Sequence, residues 1–180
     1  MLKTLFIISI LFFNFTNLSY SNETQKSVKI NKTFLKDSHW NFRLKKIERI
    51  NDILKISIRY SNKGAYRRPI FLAQGSTQAI TSINDEGSVE SNPAPNTDVP
   101  AAILKSFHSN KISEAINIEG ITIDAFTNVE KNKGKTAIFT FNIGNVEIDK
   151  AYFVSNWVTM IMRGATGVIP INILIDVPVK

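Results

Sequence analysis

Apolar and polar residues alternate along much of the chain that follows His39. The alternation runs through residues 40–44 and again through residues 54–60, where every second residue is aromatic, leucine or isoleucine. A period of two with aromatic and β-branched residues is typical of strands that bury one face. Asn51 and Asp52, between the two segments, both tolerate the positive φ of a tight turn. The pattern therefore predicts a β-hairpin.

The register of this hairpin follows from its turn. A two-residue turn places Ile50 opposite Ile53, but the same register continued sets Lys45 against Ile58 and brings a charged side chain to the buried face. One extra residue at Lys45-Lys46 restores the apolar pairing, so we predict a β-bulge there. The bulged register gives three further cross-strand pairs: Leu44 with Ile58, Phe42 with Tyr60 and Arg43 with Arg59.

Short strand-like segments separated by turn signals continue to the end of the chain. Turns are expected at residues 62–64, 84–87 and 131–134, and loops at 91–100 and 163–167. Residues 101–107 and 112–118 fit no single assignment. The expected strands are residues 69–73 (at an edge, because of its proline), 77–83, 121–126, 136–143, 151–162 with both faces buried, and 169–177. Seven to nine strands without βαβ alternation predict an all-β fold, an antiparallel sandwich.

Three short motifs carry a resemblance to a known type of domain. Tyr60-Ser61-Asn62-Lys63-Gly64 follows the second strand, residues 84–87 read Asn-Asp-Glu-Gly, and residues 133–141 read Lys-Gly-Lys-Thr-Ala-Ile-Phe-Thr-Phe. Over residues 40–177 this layout resembles exported bacterial immunoglobulin-like domains. The resemblance implies an immunoglobulin-like sandwich and a binding or adaptor role, and it transfers no site residue. The disulfide of antibody domains is absent because the chain has no cysteine.

The N-terminus has the pattern of a secretory signal peptide. Lys3 supplies a positive charge, residues 5–13 form an apolar run, and Ser19 and Ser21 are small residues suited to cleavage before Asn22. The run is about half of the roughly 20 residues that span a bilayer. We therefore expect a signal-peptide helix at 1–21, a flexible leader at 22–37, a sandwich domain at 38–180 and no transmembrane segment. The expected location is the periplasm or the outside of the cell.

Composition excludes several kinds of chemistry. Without cysteine, the chain has no thiol nucleophile and no thiolate for zinc, and its two histidines, His39 and His108, lie far apart in sequence. No Gly-x-Ser-x-Gly nucleophile elbow and no pair of carboxylates suited to a glycosidase occurs. The sequence thus predicts no catalytic residue, no metal site and no cofactor. The net charge of +7 leaves an anionic partner open, while export and the lack of an aromatic-basic motif disfavour nucleic acid.

Two surfaces of the predicted sandwich are candidates for binding. The first is the outward face of the opening hairpin with the loop beyond it, where like charges that lie opposite each other cost stability and suggest an anionic partner. Its residues are Arg43, Lys45, Lys46, Lys55, Arg59, Arg67 and Arg68. The second is the last strand. Its Pro170 and Pro178 suit an edge, and its apolar positions suit either the core or a partner strand.

These observations predict an exported, non-enzymatic binding or adaptor domain at the bacterial envelope or outside the cell. The expected partner is an anionic envelope component or another exported protein. Two alternatives remain open. A hydrolase acting on cell-wall or extracellular polymer requires His39 or His108 beside a carboxylate in a concave site. A structural subunit that assembles by strand addition requires an unpaired terminal strand. The sequence does not indicate the oligomeric state.

Overall fold

The computed structural model describes residues 25–74, 100–109, 111–144, 148–162 and 165–179. These residues form ten strands and no helix. The strands are β1 (Gln25–Lys36), β2 (Trp40–Ile50), β3 (Ile53–Asn62), β4 (Arg68–Leu72), β5 (Ala102–Ser106), β6 (Ile112–Glu119), β7 (Thr127–Val129), β8 (Gly134–Asn142), β9 (Lys150–Met162) and β10 (Ala165–Asp176). Nothing in the described ranges could cross a membrane as a helix.

The strands form two antiparallel layers that share β6. The front sheet has the order β1-β2-β3-β8-β6, and the back sheet continues through β5 and β9 to β4 and β7. β10 pairs with the other edge of β9. The first half of β6 pairs with β5 and its second half with β8, so this strand passes from one sheet to the other. The predicted fold class, an all-β antiparallel sandwich, is confirmed.

Large aromatic side chains fill the space between the sheets. Phe42 of β2 meets Trp157 of β9 edge to face at a centroid distance of 5.1 Å, and Tyr60 of β3 lies 5.0 Å from the same indole. Phe139 and Phe153 form a further edge-to-face pair at 4.8 Å. All five side chains are completely buried. Such burial contributes several kcal/mol for each ring, which fixes how β2 and β3 lie on the back sheet.

The opening hairpin has the predicted register. Ile50 pairs with Ile53, the pairing shifts between Leu44 and Lys46, and Lys45 is the extra residue. Asn51 in the turn has a φ of 53°, a conformation that asparagine adopts more readily than most residues. The bulge at Lys45-Lys46 is therefore confirmed, together with the three cross-strand pairs: Leu44 with Ile58, Phe42 with Tyr60, and Arg43 with Arg59.

The last two strands also follow the sequence pattern. In β9 most residues on both faces are buried, as expected. In β10 the side chains of Ile169, Ile171 and Ile175 are buried, and they alternate with exposed residues. The strand pairs with β9 along its whole length. The segments without a firm assignment, 101–107 and 112–118, contain β5 and β6.

Four sequence-based expectations were wrong. Residues 25–36 are not a flexible leader but strand β1, which pairs with β2. β4 does not lie at an edge, since it pairs with both β7 and β9. Residues 121–126 contain a single bridge at Ile123, and the strand lies at Thr127–Val129. β10 begins at Ala165, inside the expected loop. The signal peptide at 1–21, the strand at 77–83 and the turn at 84–87 lie outside the described residues.

Candidate functional site

The outward side chains of the front sheet form rows that cross β1, β2, β3 and β8. The register places Thr33, Arg43, Arg59 and Thr136 in one row. A second row contains Lys29, Lys46, Ser57 and Ile138, and a third contains Ser27, Glu48, Lys55 and Thr140. Since neighbours in a row lie about 5 Å apart at Cβ, each row is a set of side chains in contact range. The structure therefore brings Arg43, Lys46, Lys55 and Arg59 together on one face.

The third row is electrostatically compensated. Glu48 lies opposite Lys55, and its carboxylate accepts a contact of 2.9 Å from Lys46 Nζ. Gln25 donates a further side-chain hydrogen bond to the same oxygen. The hydrogen bond from Lys46 holds the pKa of the Glu48 carboxyl below its usual value. Glu48 thus neutralises much of the charge of Lys46 and Lys55.

The first row has no such compensation among the described residues. Arg43 Nε donates to Thr33 Oγ1 at 3.3 Å, which steadies its guanidinium on the β1 side. Arg59 is exposed. The ion pairs within the described ranges involve Lys46, Arg67 and His108, and none involves Arg43 or Arg59. Two arginines therefore occupy directly opposite positions in this row, with a threonine at each end of the row.

Lys45 and Lys29 extend the positive charge toward β1. Lys45 Nζ donates to Asn31 Oδ1 at 2.6 Å, where β1 has its own irregularity and Asn31 a φ of 55°. Lys29 pairs directly with Lys46, which makes a second like-charge pair. Lys29 is not among the predicted site residues, because the polar sequence of residues 22–37 predicts a flexible leader. Recognition of β1 as a partner of β2 is the step that would have found it.

Arg67 and Arg68 do not belong to this face. Arg67 is exposed, and its Nε lies 3.9 Å from Oε1 of Glu130. Glu130 lies in the turn before β8. Arg68 begins β4 and donates from Nη1 to the Met160 carbonyl at 3.2 Å. It lines a cleft of about 90 Å³ together with Asp37, His39, Trp40, Thr159, Met160, Gly167, Val168 and Ile169.

The two histidines lie in different environments. His39 lines the cleft, but its Nδ1 is 2.7 Å from Ser38 Oγ, and Asp37 Oδ1 accepts from the backbone N–H groups of His39 and Trp40. His108 Nε2 lies 3.4 Å from Asp149 Oδ1, with both side chains more than half exposed. Within the part of the chain that the structure describes, no three histidines or carboxylates cluster as metal ligands do.

Comparisons with known proteins give a structural similarity of low degree. No protein-family model matches the chain, and no curated protein sequence does. Among solved structures, the chain is similar to a crystal structure of the GAE domain of yeast GGA1 at 11% sequence identity and a TM-score of 0.35. That match covers 79% of this chain and 99% of the yeast domain. At this TM-score, the similarity carries nothing about function to this chain.

Proposed function

We propose that the protein is an exported, non-enzymatic binding or adaptor domain that acts at the bacterial envelope or outside the cell. Its contact surface is the outer face of β2 and β3, and its partner is anionic. One observation carries this proposal: Arg43 and Arg59 face each other across the hairpin with no carboxylate in their row. Like charges directly opposite each other oppose folding, and an anionic partner that spans them turns this cost into binding free energy.

Export is supported by the signal-peptide pattern of residues 1–21. Cleavage after Ser21 leaves β1, which begins at Gln25, intact on the mature chain. N-terminal sequencing of protein recovered from the periplasm or the medium is expected to begin at Asn22. Recovery of the full-length chain from the cytoplasm alone would contradict this part of the proposal.

The contact surface can be tested by charge reversal with a matched control. Arg43→Glu with Arg59→Glu changes the charge by four units on the proposed face. Lys111→Glu with Lys131→Glu makes the same change at exposed positions elsewhere. Mature protein and both variants are mixed with envelope material of the source cell, and the bound fraction is measured across a salt series. We expect the first variant to lose binding and the control to keep most of it. Equal binding by the two variants would exclude this face as the contact.

Assembly by strand addition is less well supported. β10 pairs with β9 along its whole length, so one edge of this strand is already hydrogen-bonded within the fold. The Asn156 carbonyl accepts from Ala73 N, on the side of β9 away from β10. Because Asn156 pairs with Pro170, the nitrogen of Pro170 faces the outer edge of β10. An added strand would find no donor at the centre of that edge.

A further inference from the structure

The face of β2 and β3 divides into two electrostatic zones. In the zone near the turn, Glu48 contacts Lys46 and lies opposite Lys55, so one carboxylate offsets part of the positive charge of Lys29, Lys46 and Lys55. In the zone beyond the bulge, Arg43 and Arg59 have no carboxylate partner among the described residues. The extra residue Lys45 separates the two zones. The electrostatic attraction of this face for an anion is therefore least offset by neighbouring carboxylates beside the two arginines.

The row of the two arginines presents guanidinium donors from backbone positions that the strand register fixes. Arg43 Nε donates to Thr33 Oγ1 at 3.3 Å, so the two terminal nitrogens of its guanidinium remain available to a ligand. Arg59 lies directly opposite, at a Cβ separation of about 5 Å. Thr136 adds a hydroxyl on the far side of Arg59. Each planar guanidinium can donate two parallel hydrogen bonds to one oxyanion.

A tetrahedral dianion matches this arrangement better than a single negative charge does. A carboxylate or a phosphate diester carries one charge and leaves one of the two arginines uncompensated. A phosphate monoester carries a charge of about −1.5 to −2 at pH 7 and presents three acceptor oxygens. It can therefore pair with both guanidinium groups at once and also accept from a threonine hydroxyl.

We propose that Arg43 and Arg59, flanked by Thr33 and Thr136, form a binding site for a phosphate monoester. This inference rests on the proposed function and names the chemistry of its anionic partner. The monoester can belong to a lipid headgroup or to a soluble molecule. In both cases the two arginines bind the phosphate, and the threonines position the arginines or donate to the remaining oxygen.

Vesicle flotation with the mature protein tests the ligand chemistry. Vesicles that contain phosphatidic acid, a monoester, are compared with phosphatidylglycerol vesicles, which carry a diester, at matched surface potential and 0.1 M salt. We expect binding to phosphatidic acid to be about fivefold tighter, since the second guanidinium contributes one further exposed ion pair. Glycerol phosphate is added as a soluble competitor. Release of the protein at millimolar concentrations indicates a site that takes a free monoester, and retention indicates one that needs the lipid surface.

Two double variants separate the failure of this inference from that of the proposed function. Arg43→Gln with Arg59→Gln should abolish the preference for phosphatidic acid, while Lys111→Gln with Lys131→Gln should retain it. Equal binding of the unaltered protein to both vesicles, with weaker binding by the arginine variant, would overturn the monoester site and leave the basic face as the contact. Equal behaviour of the two variants on both vesicles would overturn both proposals.

Discussion

Replacement of Arg59 by glutamate should stabilise the protein. Arg43 and Arg59 are cross-strand neighbours, and their guanidinium groups extend into water from the outer face. Directly opposite residues have Cβ atoms about 5 Å apart, and for a charge separation taken as about 7 Å the repulsion in water amounts to roughly 0.6 kcal/mol. Arg59→Glu removes this repulsion and creates an attraction of similar size. We therefore expect the free energy of unfolding to rise by about 1 kcal/mol at low salt.

Urea denaturation at 20 mM and at 1 M sodium chloride measures the effect. The Debye length falls to about 3 Å at 1 M salt, so the gain should disappear there. Arg59→Gln removes only the repulsion and should give about half the gain at low salt. The urea m-value should stay constant, because the buried surface does not change. A glutamate variant less stable than the unaltered protein at 20 mM, or a gain that persists at 1 M, would refute the electrostatic reasoning.

Three further predictions concern the core, the sheet edge and pH. Thr159 Oγ1 accepts from Trp40 Nε1 at 3.1 Å and donates to the Pro69 carbonyl at 3.0 Å. Thr159→Val leaves the Trp40 N–H and the Pro69 carbonyl without this hydrogen-bond partner and should lower the free energy of unfolding by about 2 kcal/mol in urea denaturation. Thr159→Ser keeps the hydroxyl and should retain most of the stability of the unaltered protein. Pro170→Val restores a donor on the outer edge of β10 and should produce concentration-dependent dimers in size-exclusion chromatography with light scattering; a strictly monomeric variant would contradict the edge argument. Burial raises the pKa of Tyr60 to about 12. In the unfolded chain the same hydroxyl ionises near pH 10, so between these two values only the unfolded state loses the proton. Stability should be fully present below pH 10 and fall by about 2 kcal/mol toward pH 12, and Tyr60→Phe should remove this dependence.

The hairpin could be predicted from sequence because burial on one side of its strands constrains the register. A register slip at Lys45 would move a charged side chain onto the face that packs against Trp157, at a cost of several kcal/mol. Only one inserted residue avoids this cost, and the sequence pattern contains that information. The structure places the extra residue at Lys45. The basic positions on the outer face followed from the same alternation.

β1 could not be predicted in the same way. Most of its residues are exposed, and its sequence is polar with four lysines. Ile30, Phe34 and Leu35 pack partly buried against the core. Two register shifts, between Lys29 and Lys32 and between Thr33 and Leu35, interrupt the alternation that would have marked β1 as a strand. As a result, Thr33 and Lys29 were absent from the predicted site, although Thr33 positions Arg43 and Lys29 pairs with Lys46.

The two errors around β4 and β7 have local causes. Pro69 is tolerated inside the back sheet because the pairing of β4 with β9 begins only at Ile70, and the Pro69 carbonyl accepts a hydrogen bond from the Thr159 hydroxyl on that side. Residues 121–126 contain apolar side chains, but Asp124 has a φ of 50° and the Thr122 hydroxyl contacts Thr127 Oγ1 at 2.7 Å. Such local side-chain hydrogen bonds compete with strand pairing. The periodicity of apolar residues predicts neither the pairing around Pro69 nor this local hydrogen bond.

The core explains how the arginine pair is held in place before any partner arrives. Phe42 and Tyr60 form the cross-strand pair adjacent to Arg43 and Arg59, and both rings are completely buried against Trp157. Burial of two aromatic side chains contributes several kcal/mol, whereas the repulsion between the arginines costs about 0.6 kcal/mol. The register is therefore set from the inner face of the hairpin. Because the strands cannot slip to separate the two charges, an anionic ligand pays little to bring them together.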